Sequence, residues 1–98
     1  NASSALTLFQ QLIATDAPEL VFSMMVRRVR QLIQLADNVI PEGLQSWQAK
    51  SLTNQARLFT MDKLLSMHKQ LLDMEYSMKT GRSPFTLAQC IEQFIISL

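Results

Sequence analysis

The chain has 98 residues, enough for one domain with a modest core and too few for two. Hydrophobic residues make up 48% and charged residues 17%, with 2 Gly and 3 Pro, which excludes disordered, collagenous and low-complexity chains. Nine Lys and Arg against eight Asp and Glu leave a formal charge of +1, so electrostatics gives no argument for a general nucleic-acid or membrane-surface binder. One Cys and one His build neither a disulfide nor a Cys/His zinc site within the chain.

Asn1-Ala2 reads as the remnant of a cleaved expression tag and is left out of the fold reasoning, which treats residues 3–98 as one helical domain. Charged or amide residues interrupt every apolar run well short of the ~20 residues that cross a bilayer, and the expectation is a soluble, cytoplasmic protein without a membrane partner.

Capping signals and 3.6-residue periodicity divide the chain into five helical segments, and no stretch alternates with the period of a strand. The predicted class is an all-α, compact five-helix bundle. Segment one runs from Ser3 or Ser4 to Thr15, with Leu6, Phe9 and Ile13 on one face, widened by Leu8 and Leu12. Segment two opens at Asp16-Ala17-Pro18-Glu19, where Asp16 has capping-box spacing to Glu19 and Pro18 occupies the first turn at no hydrogen-bond cost. It continues to about Asn38. Phe22, Met25, Val26, Val29, Leu32, Ile33 and Ala36 form its core stripe, while Met24 and Leu35 fall on the back with Arg28 between them.

Pro41 and Gly43 mark a connector over residues 40–45. In segment three Ser46 is the expected cap of a helix from Trp47 to about Leu58, with Ala49, Leu52, Ala56 and Phe59 facing inward. Thr60 is the expected cap of segment four, which ends near Thr80 at Gly81, a residue suited to the left-handed position after a helix. Its inward stripe is read as Met61, Leu64, Leu65, Leu71, Leu72, Tyr76 and Met78, with Met67 and Met74 on the flank. His68, Glu75 and Lys79 fall in the same arc. Glu75 and Lys79, four apart in the favourable order, are therefore expected as a buried structural pair, and His68 as a hydrogen-bonded core histidine. Segment five starts at Ser83-Pro84 and turns Leu87, Ala88, Ile91, Phe94, Ile95 and Leu98 inward. Cys90 within it reads as a small apolar residue rather than an activated thiol.

The chain contains no Gly-rich phosphate loop, HExxH, GxSxG or CxxC, and its single His is not part of a Glu-x-x-His pair of the di-iron kind. Catalytic, metal-binding and cofactor-binding residues are all read as none. A helix-turn-helix across segments two and three would offer only Lys50, Asn54, Gln55 and Arg57 as polar reach. Met24, Arg28, Leu35, Met67 and Met74 are the candidate interface residues, since the backs of two helices carry more apolar residues than a solvated face needs.

Three strings in order carry a family resemblance. They are Met25-Val26-Arg27-Arg28-Val29-Arg30-Gln31-Leu32-Ile33, then Asn54-Gln55-Ala56-Arg57-Leu58-Phe59-Thr60 leading into Leu64-Leu65, then Glu75-Tyr76-Ser77-Met78-Lys79-Thr80-Gly81. Together they resemble the arginine-rich helix, the helix junction and the Lys-Thr-Gly ending of the C-terminal collar domain of the bacterial DNA polymerase III delta subunit. The likeness spans roughly Leu6 to Leu98. Ser46-Trp47 stands where the family often has a His-Pro pair, and Glu75 where an aspartate is common, a change that keeps the charge. The resemblance implies a non-catalytic assembly part of the clamp loader, whose partners are the other loader subunits. It implies contact with the sliding clamp only through a missing N-terminal part of the parent, no ATP site and no direct nucleic-acid contact. The alternatives are a free-standing homodimeric helical domain and, behind it, a helix-turn-helix DNA-binding domain.

Overall fold

The computed structural model describes residues 17–97, and every described element is an α-helix. The four are α1 (Pro18–Ala36), α2 (Ser46–Ala56), α3 (Met61–Lys79) and α4 (Leu87–Ile96). The predicted count of five is not matched among the described residues, and the first expected segment, Ser3–Thr15, lies outside them.

Helix α1 starts at Pro18 with Ala17 as its N-cap residue and no side-chain cap bond, while the capping expected of Asp16 lies outside the described residues. It stops two residues earlier than predicted. Asn38 adopts φ 61°, so that its N–H bonds Leu35 C=O (3.0 Å) and the N–H of Val39 bonds Gln34 C=O (2.8 Å), the two bonds of a Schellman ending. The end of α3 repeats the device with the predicted glycine. Gly81, at φ 68°, bonds Met78 C=O (3.3 Å) and Arg82 bonds Ser77 C=O (3.0 Å).

Helix starts depart from the reading at two places. Gln45, not Ser46, is the N-cap residue of α2, and its N–H is taken by the Gln48 side chain at 3.0 Å. The cap of α4 is Thr86, three residues beyond the expected Ser83: Thr86 Oγ1 accepts from Gln89 N–H (3.2 Å) and Gln89 Oε1 accepts from Thr86 N–H (2.9 Å). This reciprocal box outcompetes Ser83, whose hydroxyl is held in a local turn with Phe85. Thr60 caps α3 as predicted, accepting from Lys63 N–H at 3.1 Å.

Helix α1 is the hub. It packs against α2, α3 and α4, whereas α2 touches no other described helix and α3 adds only α4. A helix packed on several sides buries a wide arc, and α1 contributes Val21, Phe22, Met25, Val29, Leu32 and Leu35 to the core. From α2 come Ala49, Leu52 and Ala56, from α3 Leu64, Met67 and Leu71, and from α4 Ile91, Phe94 and Ile95, all in one cluster. Helices α1 and α3 run antiparallel: Arg30 in the second half of α1 bonds His68 in the first half of α3, and Glu75 near the end of α3 shares a cleft with Phe22 near the start of α1.

The buried stripe of α3 is rotated from the predicted one. Leu64 and Leu71 are inside, but their partners are Met67 and, at half-burial, Met74 and Met78, while Leu65, Leu72 and Tyr76 lie at the surface. With leucine at both 64–65 and 71–72, two stripes about 100° apart have nearly equal apolar content, and periodicity alone does not choose between them. The position of α1 decides it.

Candidate functional site

The candidate interface residues separate into three groups. Met24 is 44% exposed on α1, and Arg28, one turn on, is also exposed, as expected of a back face. Leu35, read from the sequence as lying on the back of its helix, and Met67, read as lying on the flank, are instead core residues at 6% and 4% exposure. For Leu35 the cause is the wide contact arc of α1, and for Met67 it is the rotation of the α3 stripe. Met74 is half-buried and packs against the core. The five residues therefore do not form one surface.

The Glu75–Lys79 pair forms, with Lys79 Nζ donating to Glu75 Oε1 at 3.3 Å, but it is not buried. The side chains are 45% and 74% exposed, so the pair is an ordinary helix-surface bridge instead of the buried pair expected. The same rotation that brings Met67 inward moves Lys79 out. His68 is half-buried and does find a hydrogen bond, accepting at Nε2 from Arg30 Nε at 3.2 Å. An accepting Nε2 requires the tautomer with its proton on Nδ1.

Beside this contact lies an open cleft of about 460 Å³. Phe22 and Val26 supply its apolar surface, Arg27 and Arg30 its cations, and Glu42 and Glu75 its carboxylates. The charges of opposite sign balance, and the cleft gathers no nucleophile with an adjacent base. Among the described residues no group of three or more His, Cys, Asp or Glu side chains converges in a way that could hold a metal ion. Cys90 is half-buried, with Sγ 3.7 Å from Ser83 Oγ. Among the same residues no helix is long and apolar enough to cross a membrane.

The surface that sequence reasoning missed is on α3. Leu65, Leu72 and Tyr76 are 50%, 43% and 61% exposed. Turned by 100° per residue, they fall within about 40° of one another on the helix surface. The signal was present as a doubled leucine at two points seven residues apart, which gives one helix a second apolar line. Three large apolar side chains in register differ from the scattered exposed hydrophobes that any surface carries. Compared with protein-family models, with curated proteins and with solved structures, the chain finds no match.

Proposed function

We propose that this chain is the C-terminal collar domain of a bacterial DNA polymerase III delta subunit, a non-catalytic part that helps hold the clamp loader together while the sliding clamp is placed on primed DNA. The observation that carries the reading is the ordered run of three signatures, each of which sits at a position that organises the helices. The arginine-rich string occupies the hub helix α1, where Met25, Val29 and Leu32 enter the core and Arg27, Arg28 and Arg30 stay outside. The second string closes α2 and ends in Thr60, the residue that caps α3. The third runs into Gly81 and the Schellman ending of α3. An apolar line left open on α3 supports an assembly role in kind, since such a line calls for a covering partner.

On this reading the chain works in the cytoplasm, carries no ATP site, and has the other loader subunits as its partners. The sliding clamp would be gripped by an N-terminal part of the parent protein. The test is to mix the full-length parent, with and without these 98 residues, with the ATPase subunits of the loader from the same cell and to follow complex size. Loss of co-assembly with retained clamp binding is the expected result. Normal assembly without the segment would overturn the reading.

A further inference from the structure

We infer that the cleft between α1, α3 and the connector at Pro41 and Glu42 is a binding site for a short peptide with free ends, about three residues long and apolar in its middle. This site stands apart from the assembly reading and does not rest on it. The observation that carries it is Gln31. At 9% exposure Gln31 is the only buried polar residue among those described, it lines the cleft, and no described residue hydrogen-bonds its carboxamide. Because no side-chain nitrogen or oxygen among these residues is sealed away without a partner, that carboxamide opens onto the cleft. An amide so nearly buried costs desolvation until something bonds it, and a carboxamide both donates and accepts, as a peptide group does.

The charged groups suit a ligand with one charge of each sign. Arg27 and Arg30 come from α1, Glu75 from α3 and Glu42 from the connector, and among the described residues the only ion pair is Glu75–Lys79. No arginine of the cleft is therefore paired directly with a carboxylate. Arg30 gives Nε to His68, which fixes the guanidinium and leaves both Nη nitrogens to donate. With Arg27 and Gln31, one turn of α1 apart, it makes a subsite for a carboxylate. Since α1 and α3 run antiparallel with Arg30 beside His68, Glu75, seven residues on, lies about 10 Å toward the start of α1. Three extended residues span about 10 Å, which sets the carboxylate of the peptide at the arginines and its ammonium at Glu75. Lys79 bonds Oε1 of Glu75, which leaves Oε2 to receive that ammonium. Val26, between the two levels, and Phe22 supply the apolar wall, and the volume of about 460 Å³ lies in the range of small-ligand sites. Glu42, at the other end with Pro41, repels a second negative charge and so selects a single carboxylate over a phosphate.

The experiment is calorimetric titration of the full chain with alanyl-leucyl-alanine and with its N-acetyl and C-amide forms, repeated on Arg27→Gln, Glu75→Gln and Gln31→Leu, with thermal unfolding recorded for each variant. The expected result is a Kd for the free-ended peptide on the order of 1 mM, raised about tenfold by blocking either end. Arg27→Gln and Gln31→Leu should each raise it about fivefold and Glu75→Gln about threefold, while Gln31→Leu unfolds no earlier than the parent because it removes a polar group that no described residue bonds. Absence of binding up to about 10 mM overturns the site. Equal binding of all three peptide forms overturns the recognition of two charged ends, and retention of the N-acetyl form alone overturns the short peptide in favour of the carboxylate end of a longer chain. Gln31→Leu that unfolds earlier and binds the peptide unchanged overturns the role of Gln31, and binding that none of the three variants alters places the peptide elsewhere.

Discussion

Arg30, which also lines the cleft, donates Nε–H to Nε2 of His68 across 3.2 Å, joining α1 to α3. The residues are 38 apart in sequence, and the bond ties the hub helix to its longest neighbour by a side-chain contact outside the apolar cluster. Because the site is partly open to water, the bond adds to stability at the low end of the usual range. His68→Ala and Arg30→Ala should each cost about 0.5 kcal/mol, and the double variant should cost little more than either single one. Urea unfolding of the four proteins checks this. Strictly additive losses would show that the contact is not made in solution.

Adjacent leucines on α3 should behave in opposite ways. Leu71 is wholly buried and Leu72 is 43% exposed. Leu71→Ala should lower stability by about 2–5 kcal/mol, whereas Leu72→Ala should lie within about 0.5 kcal/mol of the parent. Equal losses in denaturant titrations would mean that the helix is rotated from the position described.

The exposed Glu75–Lys79 bridge gives a small number where a buried one would give a large one. An i,i+4 pair at a helix surface contributes about 0.2–0.5 kcal/mol, and removing one member of a buried pair costs about 3–5 kcal/mol. Glu75→Ala should therefore cost no more than about 0.5 kcal/mol, and less in 1 M salt. A salt-independent loss of several kcal/mol in the same titration would place the carboxylate inside.

Gly81 ends α3 in the left-handed region at φ 68°, with open space where a Cβ would stand. The penalty for a side chain is thus backbone strain alone. Gly81→Ala should cost about 1 kcal/mol, measured by thermal or urea unfolding. Indifference to the change would rule out the Schellman geometry there.

The sequence was most legible where a residue type has a single use. Gly81 after a helix, Thr60 before one and Pro18 in a first turn all sit where the reading put them, because each choice follows from backbone geometry within a few residues. It was least legible where several residues compete for one role. Ser46 and Ser83 are good caps by type, yet Gln45 with Gln48 and Thr86 with Gln89 close their ends by bonds that run in pairs. The candidate surface failed for a longer-range reason. Leu35, Met67, Leu65 and Leu72 were assigned to faces by each helix's own pattern, but which apolar line turns inward is set by where α1 lies, and that is a tertiary fact.

Helix α2 rests on α1 and on no other described helix, whereas α1, α3 and α4 all touch one another. Among the described helices this gives a closed triad with a fourth helix laid on one side of its hub. Its buried anchors are mostly small, Ala49, Leu52 and Ala56, so among the described helices α2 is held through a single seam. In native-state hydrogen exchange its amides should form a low-energy opening unit of their own, releasing deuterium well before those of Leu64, Leu71 and Ile91. A rearrangement that lifts α2 from the hub would leave the seam between α1 and α3 undisturbed, because α2 does not touch α3.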